Sequence, residues 1–124
     1  MTLSEARDFL RAELLAVAAA AVPGYEGVVT QDAGPVNPDV LSDGDGPATI
    51  CSITVENGHP SIVDPAGQLS AAVAALEQRG WQTSVPPAEP PHHRASATRD
   101  GFQVTVHTWD GDWRITLSGE TPEL

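Results

Sequence analysis

Apolar residues recur at helical spacing in two stretches of the chain and alternate with polar ones in several others. Leu3, Phe9, Leu10, Leu14, Val17 and Ala21 form a stripe, with Arg7, Asp8, Arg11 and Glu13 largely on another face. Thr2 stands three residues before Glu5, a capping box, and Pro23-Gly24 stops the pattern, which predicts a helix over 3–22. Ala18 to Ala21 has no bulk, so another element can approach closely there. A second helix is predicted over 65–79: Asp64 caps it, Pro65 opens it, Leu69, Ala72, Val73 and Leu76 form its stripe, and Gly80 ends it.

The strands read as follows. Tyr25 to Thr30 has the β-branched run Val28-Val29-Thr30 and suits a short edge strand. Residues 31–47 read as a long loop, punctuated by Gly34-Pro35, Asn37-Pro38 and Gly46-Pro47. Ala48 to Glu56 alternates with Cys51, Ile53 and Val55 inward, and Asn57-Gly58 reads as its turn. Trp81 to Val85 is a short strand, and Pro86-Pro87 and Pro90-Pro91 impose an extended crossing. Ala95 to Thr98 leads into an Asp100-Gly101 hairpin turn. Phe102, Val104 and Val106 alternate with Gln103, Thr105 and His107. Asp110-Gly111-Asp112 makes the next turn, after which Trp113, Ile115 and Leu117 share one parity against Arg114 and Thr116. Trp113 is thereby expected in the core and Trp109 on the outer face, where it either anchors a partner or packs under the 86–91 crossing. One-sided alternation predicts an α+β domain over residues 1–124, an antiparallel sheet of four to five strands with both helices on one face. Within it, 48–119 is a strand-helix-strand-meander unit.

Composition narrows the function more than it names it. The chain has 124 residues, 40% of them apolar, which supports one modest core. Six basic residues, all arginine, face seventeen acids, for a formal charge of −11. That balance excludes a phosphate-tracking surface and hence nucleic acid, disfavours anionic lipid, and suits a basic protein partner. No segment reaches the ~18 apolar residues of a membrane helix. Leu14 to Val22 follows Glu5, Asp8 and Glu13, where a secretory leader would carry positive charge. With the lone Cys51 unable to form an internal disulfide, the expectation is a cytoplasmic protein.

The order of the Cys51 strand, a helix, Gly80-Trp81, then Arg99-Asp100-Gly101-Phe102-Gln103-Val104-Thr105-Val106 and Gly119-Glu120-Thr121-Pro122 resembles a group of small actinobacterial proteins. Many of these are exported lipoproteins, and the resemblance spans residues 48–122. It implies that an exported placement is the alternative to a cytoplasmic one. Exported members match the first-strand cysteine with a second after the final Thr-Pro. Here Glu123 follows Pro122, and no lipobox is seen. The resemblance implies no catalytic residue and no cofactor.

Several constellations have a chemical reading and a plainer one. Asp39, Asp43 and Asp45 crowd a loop suited to a hard cation, but the calcium-loop spacing fails and Asp-Gly-Asp-Gly is ordinary turn chemistry. His92-His93 is an adjacent pair whose rings diverge in an extended segment, unsuited to one zinc ion. His107 could serve as a base if Asp110 or Asp112 oriented it, although both suit turns. Cys51, within an apolar strand, reads as an inert buried thiol and not a nucleophile. No nucleophile elbow, phosphate loop or dinucleotide fingerprint is present.

No motif specifies a reaction, a metal or a cofactor. The reading that best fits is a non-catalytic, acidic protein-binding module, inhibitor- or immunity-like, using Trp109, His107, Thr105, Gln103 and Arg114 on an open sheet face. One alternative is a small metal-dependent hydrolase built on Asp43, Asp45 and His107. Another is an exported, lipoprotein-like accessory domain.

Overall fold

In the computed structural model, which describes residues 1–36 and 50–123, the first helical pattern forms α1 (Leu3–Ala21). Its capping box is reciprocal: the Glu5 N–H donates to Thr2 Oγ1, and the Thr2 N–H to Glu5 Oε1, both at 3.1 Å. The second forms α2 (Pro65–Gln78), capped by the Asp64 carboxylate, which accepts from the Gly67 N–H at 3.2 Å.

Among the described residues the sheet has six strands, not four or five: β1 (Val28–Val36), β2 (Ile50–Gly58), β3 (Gln82–Ser84), β4 (His92–Arg99), β5 (Phe102–Trp109) and β6 (Arg114–Glu120). Their spatial order is β1-β2-β6-β5-β4-β3, with every pairing antiparallel. The expected edge strand therefore continues to Val36, into the stretch read as loop. Pro35 is tolerated because β1 lies at the sheet edge, where an absent N–H costs no ladder bond, and the register shifts between Ala33 and Val36. Residues 37–49, with Asp39, Asp43 and Asp45, lie outside the described residues.

A second correction concerns Asn57-Gly58, which belongs to β2 and not to a turn. The buried Asn57 amide donates to the carbonyls of Ala18 at 2.8 Å and Tyr25 at 3.0 Å. It ties the end of β2 to the end of α1. The Asp100-Gly101 hairpin forms as expected, with both residues at positive φ.

Both helices pack on one sheet face. Leu10, Leu14 and Val17 of α1 and Leu69, Ala72 and Leu76 of α2 share a core with Ile53, Val55, Val104, Val106, Ile115 and Leu117. Glu13, which the helical pattern places among polar residues, is instead buried between the two helices and the sheet. Its carboxylate accepts from Arg79 Nε at 2.7 Å, from Arg79 Nη2, from Trp81 Nε1 at 3.2 Å and from Arg99 Nη1 at 3.4 Å. Trp81 is the tryptophan of the core, at 3% exposure. Among the described residues, no helix is long and apolar enough to cross a membrane.

Candidate functional site: the outer sheet face

Strand periodicity sends alternate residues to the face opposite the helices. Register aligns them in rows. Thr105 lies between Ser96 of β4 and Ser118 of β6, with Ser84 of β3 beyond Ser96 and Thr54 of β2 beyond Ser118. A band of hydroxyls thus crosses five strands. His107 lies between Arg94 and Thr116, and Gln103 between Thr98 and Glu120. Arg114 faces Gly58 of β2. Trp109, His107, Thr105, Gln103 and Arg114 therefore share one face.

Three aromatic rings gather at one end of this face. Nε2 of His92 and Nδ1 of His107 are 2.7 Å apart, with ring centroids at 4.9 Å and ring planes 11° apart. Those three values together describe a hydrogen bond in the plane of both rings. Trp109 lies parallel to both, within 12° of His92 and 16° of His107. It is 38% exposed. Burial pushes the His107 pKa below the ordinary histidine value, and the neighbouring His92 and Arg94 push it the same way. Whichever nitrogen carries the proton, the contact needs at least one neutral ring.

Sequence reasoning missed His92 as the partner of His107. The signal was present in the Asp100-Gly101 turn. Counting outward from the Arg99–Phe102 pair sets His92 opposite Trp109, one diagonal step from His107. The rings of His92 and His93 do diverge, as expected: His93 Nε2 meets Asp110 Oδ1 at 2.7 Å.

That contact bears on the base reading of His107. Asp110 is engaged by His93, while Asp112 Oδ1 accepts from the Arg114 N–H at 2.9 Å and lies 3.5 Å from Arg114 Nε. Neither carboxylate is hydrogen-bonded to His107. Of the hydrolase trio only His107 falls within the described residues, and among these no three His, Cys, Asp or Glu side chains converge as metal ligands. The Cys51 thiol is buried, and burial raises its pKa; Arg7 opposes the rise and Asp32 adds to it.

Trp113 departs from its expected place. It precedes β6, is half-buried, and stands outside the apolar core. It lines a shallow depression of about 280 Å³ with Glu26, Val28, Glu56, Gly58 and Arg114. The Arg114 guanidinium sits 5.3 Å from the centre of its ring. A second depression, of about 360 Å³, opens where β3 ends, between Ser84, Pro86, Arg94, Ser96 and Thr105.

No protein-family model matches this sequence, and no curated protein is significantly similar to it. Among solved structures, the fold is similar to that of the putative lipoprotein LppA from Mycobacterium tuberculosis. The TM-score is 0.63 at 16% identity, over 98% of this chain and 77% of that one. The likeness to actinobacterial lipoprotein-like proteins read from residues 48–122 thus extends, as a likeness of fold, across nearly the whole chain.

Proposed function

We propose that this chain is a non-catalytic binding module that recognises another protein with its outer sheet face. One observation carries the reading. The parallel rings of Trp109, His92 and His107 lie beside Arg94 on a face that neither helix packs against. A flat aromatic group flanked by a guanidinium and a band of hydroxyls offers apolar area at low entropic cost together with directional donors. Trp109 is the anchor, His107, Thr105 and Gln103 extend the surface along β5, and Arg114 borders it. The formal charge of −11 suits an inhibitor-like role against a basic protein.

The test is site-specific photo-cross-linking in native extract. A cross-linker at Thr105 captures a defined protein, and the product disappears when Trp109→Ala is added, with the circular dichroism spectrum unchanged. The control is Ser70, exposed on α2. A product formed from Ser70 that survives Trp109→Ala moves recognition to the helical face and ends the proposal.

The fold likeness to a lipoprotein favours a second reading, of an exported accessory domain. Fractionation of native cells checks it: recovery in the envelope supports export, and recovery wholly in the cytosol excludes it.

A further inference from the structure

We infer that the depression beside Trp113 receives a cationic side chain, lysine or arginine, from a basic partner. This rests on the outer face being the recognition surface, and it adds the chemistry of the partner. The floor of the slot is β2 at Gly58, where φ is +144° and a Cβ would overlap the Trp113 backbone and crowd its ring. The missing side chain therefore lets Trp113 lie against the strand. Val28, 63% exposed, adds apolar wall, and Glu26 and Glu56 belong to the same lining. An aromatic face, an aliphatic wall and two carboxylates match a long cationic side chain along its length. The stem covers apolar surface, and the charged head meets the ring and the acids.

The protein already shows this affinity within itself. Arg114 holds its guanidinium over the Trp113 ring, yet its side chain is half exposed. Its ion pair, with Asp112 at 3.5 Å, is a loose one. Arg114 thus borders the slot over the Trp113 ring without being locked there, and an incoming cation competes with it for the ring. Seventeen acids against six arginines set the long-range field in the same sense.

The experiment is an NMR titration of the full chain that follows the indole N–H signals of Trp81, Trp109 and Trp113. The probes are a blocked, arginine-containing pentapeptide and its citrulline counterpart, equal in shape and neutral. The arginine peptide shifts the Trp113 signal and the citrulline peptide does not, while the buried Trp81 stays in place. The Glu26→Gln/Glu56→Gln pair weakens binding about fivefold, and Arg114→Gln, by removing the guanidinium that competes for the ring, tightens it about threefold. Equal response to citrulline, or weaker binding in Arg114→Gln, overturns the inference. A silent Trp113 with the Thr105 cross-link intact overturns the slot alone. A Trp113 response without that cross-link retains the slot and removes the wider face.

Discussion

His107 makes the outer face sensitive to pH through one side chain. Its folded pKa lies below the ordinary 6.5, because burial, His92 and Arg94 all disfavour the imidazolium. Between the lowered folded value and the ordinary unfolded one, the unfolded chain binds more protons. Stability therefore falls as pH falls through that window, and the loss is complete below the folded pKa. Asp32 does not interfere there. Its hydrogen bonds to Arg7, with charge attraction in support, hold its carboxyl below the usual 3.8, so its contribution persists until more acidic pH. Urea midpoints at about pH 7.5 and about pH 5 should drop for the native sequence and drop less for His107→Gln. Identical drops in the two proteins would show that His107 is not the group responsible.

At the scale of elements, α1 is joined to the rest of the fold through Glu13 as well as through its apolar stripe. The carboxylate gathers Arg79 from the end of α2, Trp81 just ahead of β3, and Arg99 from the end of β4. The arginines remain partly exposed, so removing the acid does not strand two fully buried cations. Glu13→Ala should then cost about 2 kcal/mol, the range of charge-assisted hydrogen bonds, and not the larger cost of a broken interior pair. In a double-mutant cycle with Arg99→Gln the two losses should be less than additive, since both remove the same contact. Full additivity would mean that Arg99 acts through its other contacts, the Arg79 carbonyl to which it donates at 2.6 Å and the Phe9 ring 5.4 Å away. Glu13 also marks where local pattern stops being informative. Both helices, the hairpin turn and the parity of β5 were legible because each rests on neighbours a few residues apart, and parity alone assembled the five outer-face residues. Glu13 was misplaced because its partners lie 66 to 86 residues away. The far half of β1 was hidden by Gly34-Pro35, which only an edge position permits. Trp113 inherited the parity of Ile115, although the Asp112 turn ahead of β6 resets the direction of its side chain.

At the scale of the whole molecule, the dominant property is a negative field, offset by only six arginines. Arg7 is bound to Asp32, and Arg79 and Arg99 to Glu13, so these positive charges are largely neutralised where they sit. A basic partner would meet net attraction at long range, whereas the contacts proposed to hold it are short-ranged and local. The two contributions separate with salt. The screening length falls from about 30 Å at 0.01 M to about 8 Å at 0.15 M, less than the dimensions of the domain. Association of the arginine peptide, followed by stopped-flow tryptophan fluorescence, should slow by about tenfold over that range, while its dissociation rate changes by less than about twofold. Glu26→Gln/Glu56→Gln should leave most of the salt dependence in place, because two charges are a small part of the field, and should act on dissociation instead. If the double variant abolishes the salt dependence and leaves dissociation untouched, the two glutamates steer the ligand and do not hold it, and the Trp113 slot is not where the cation rests.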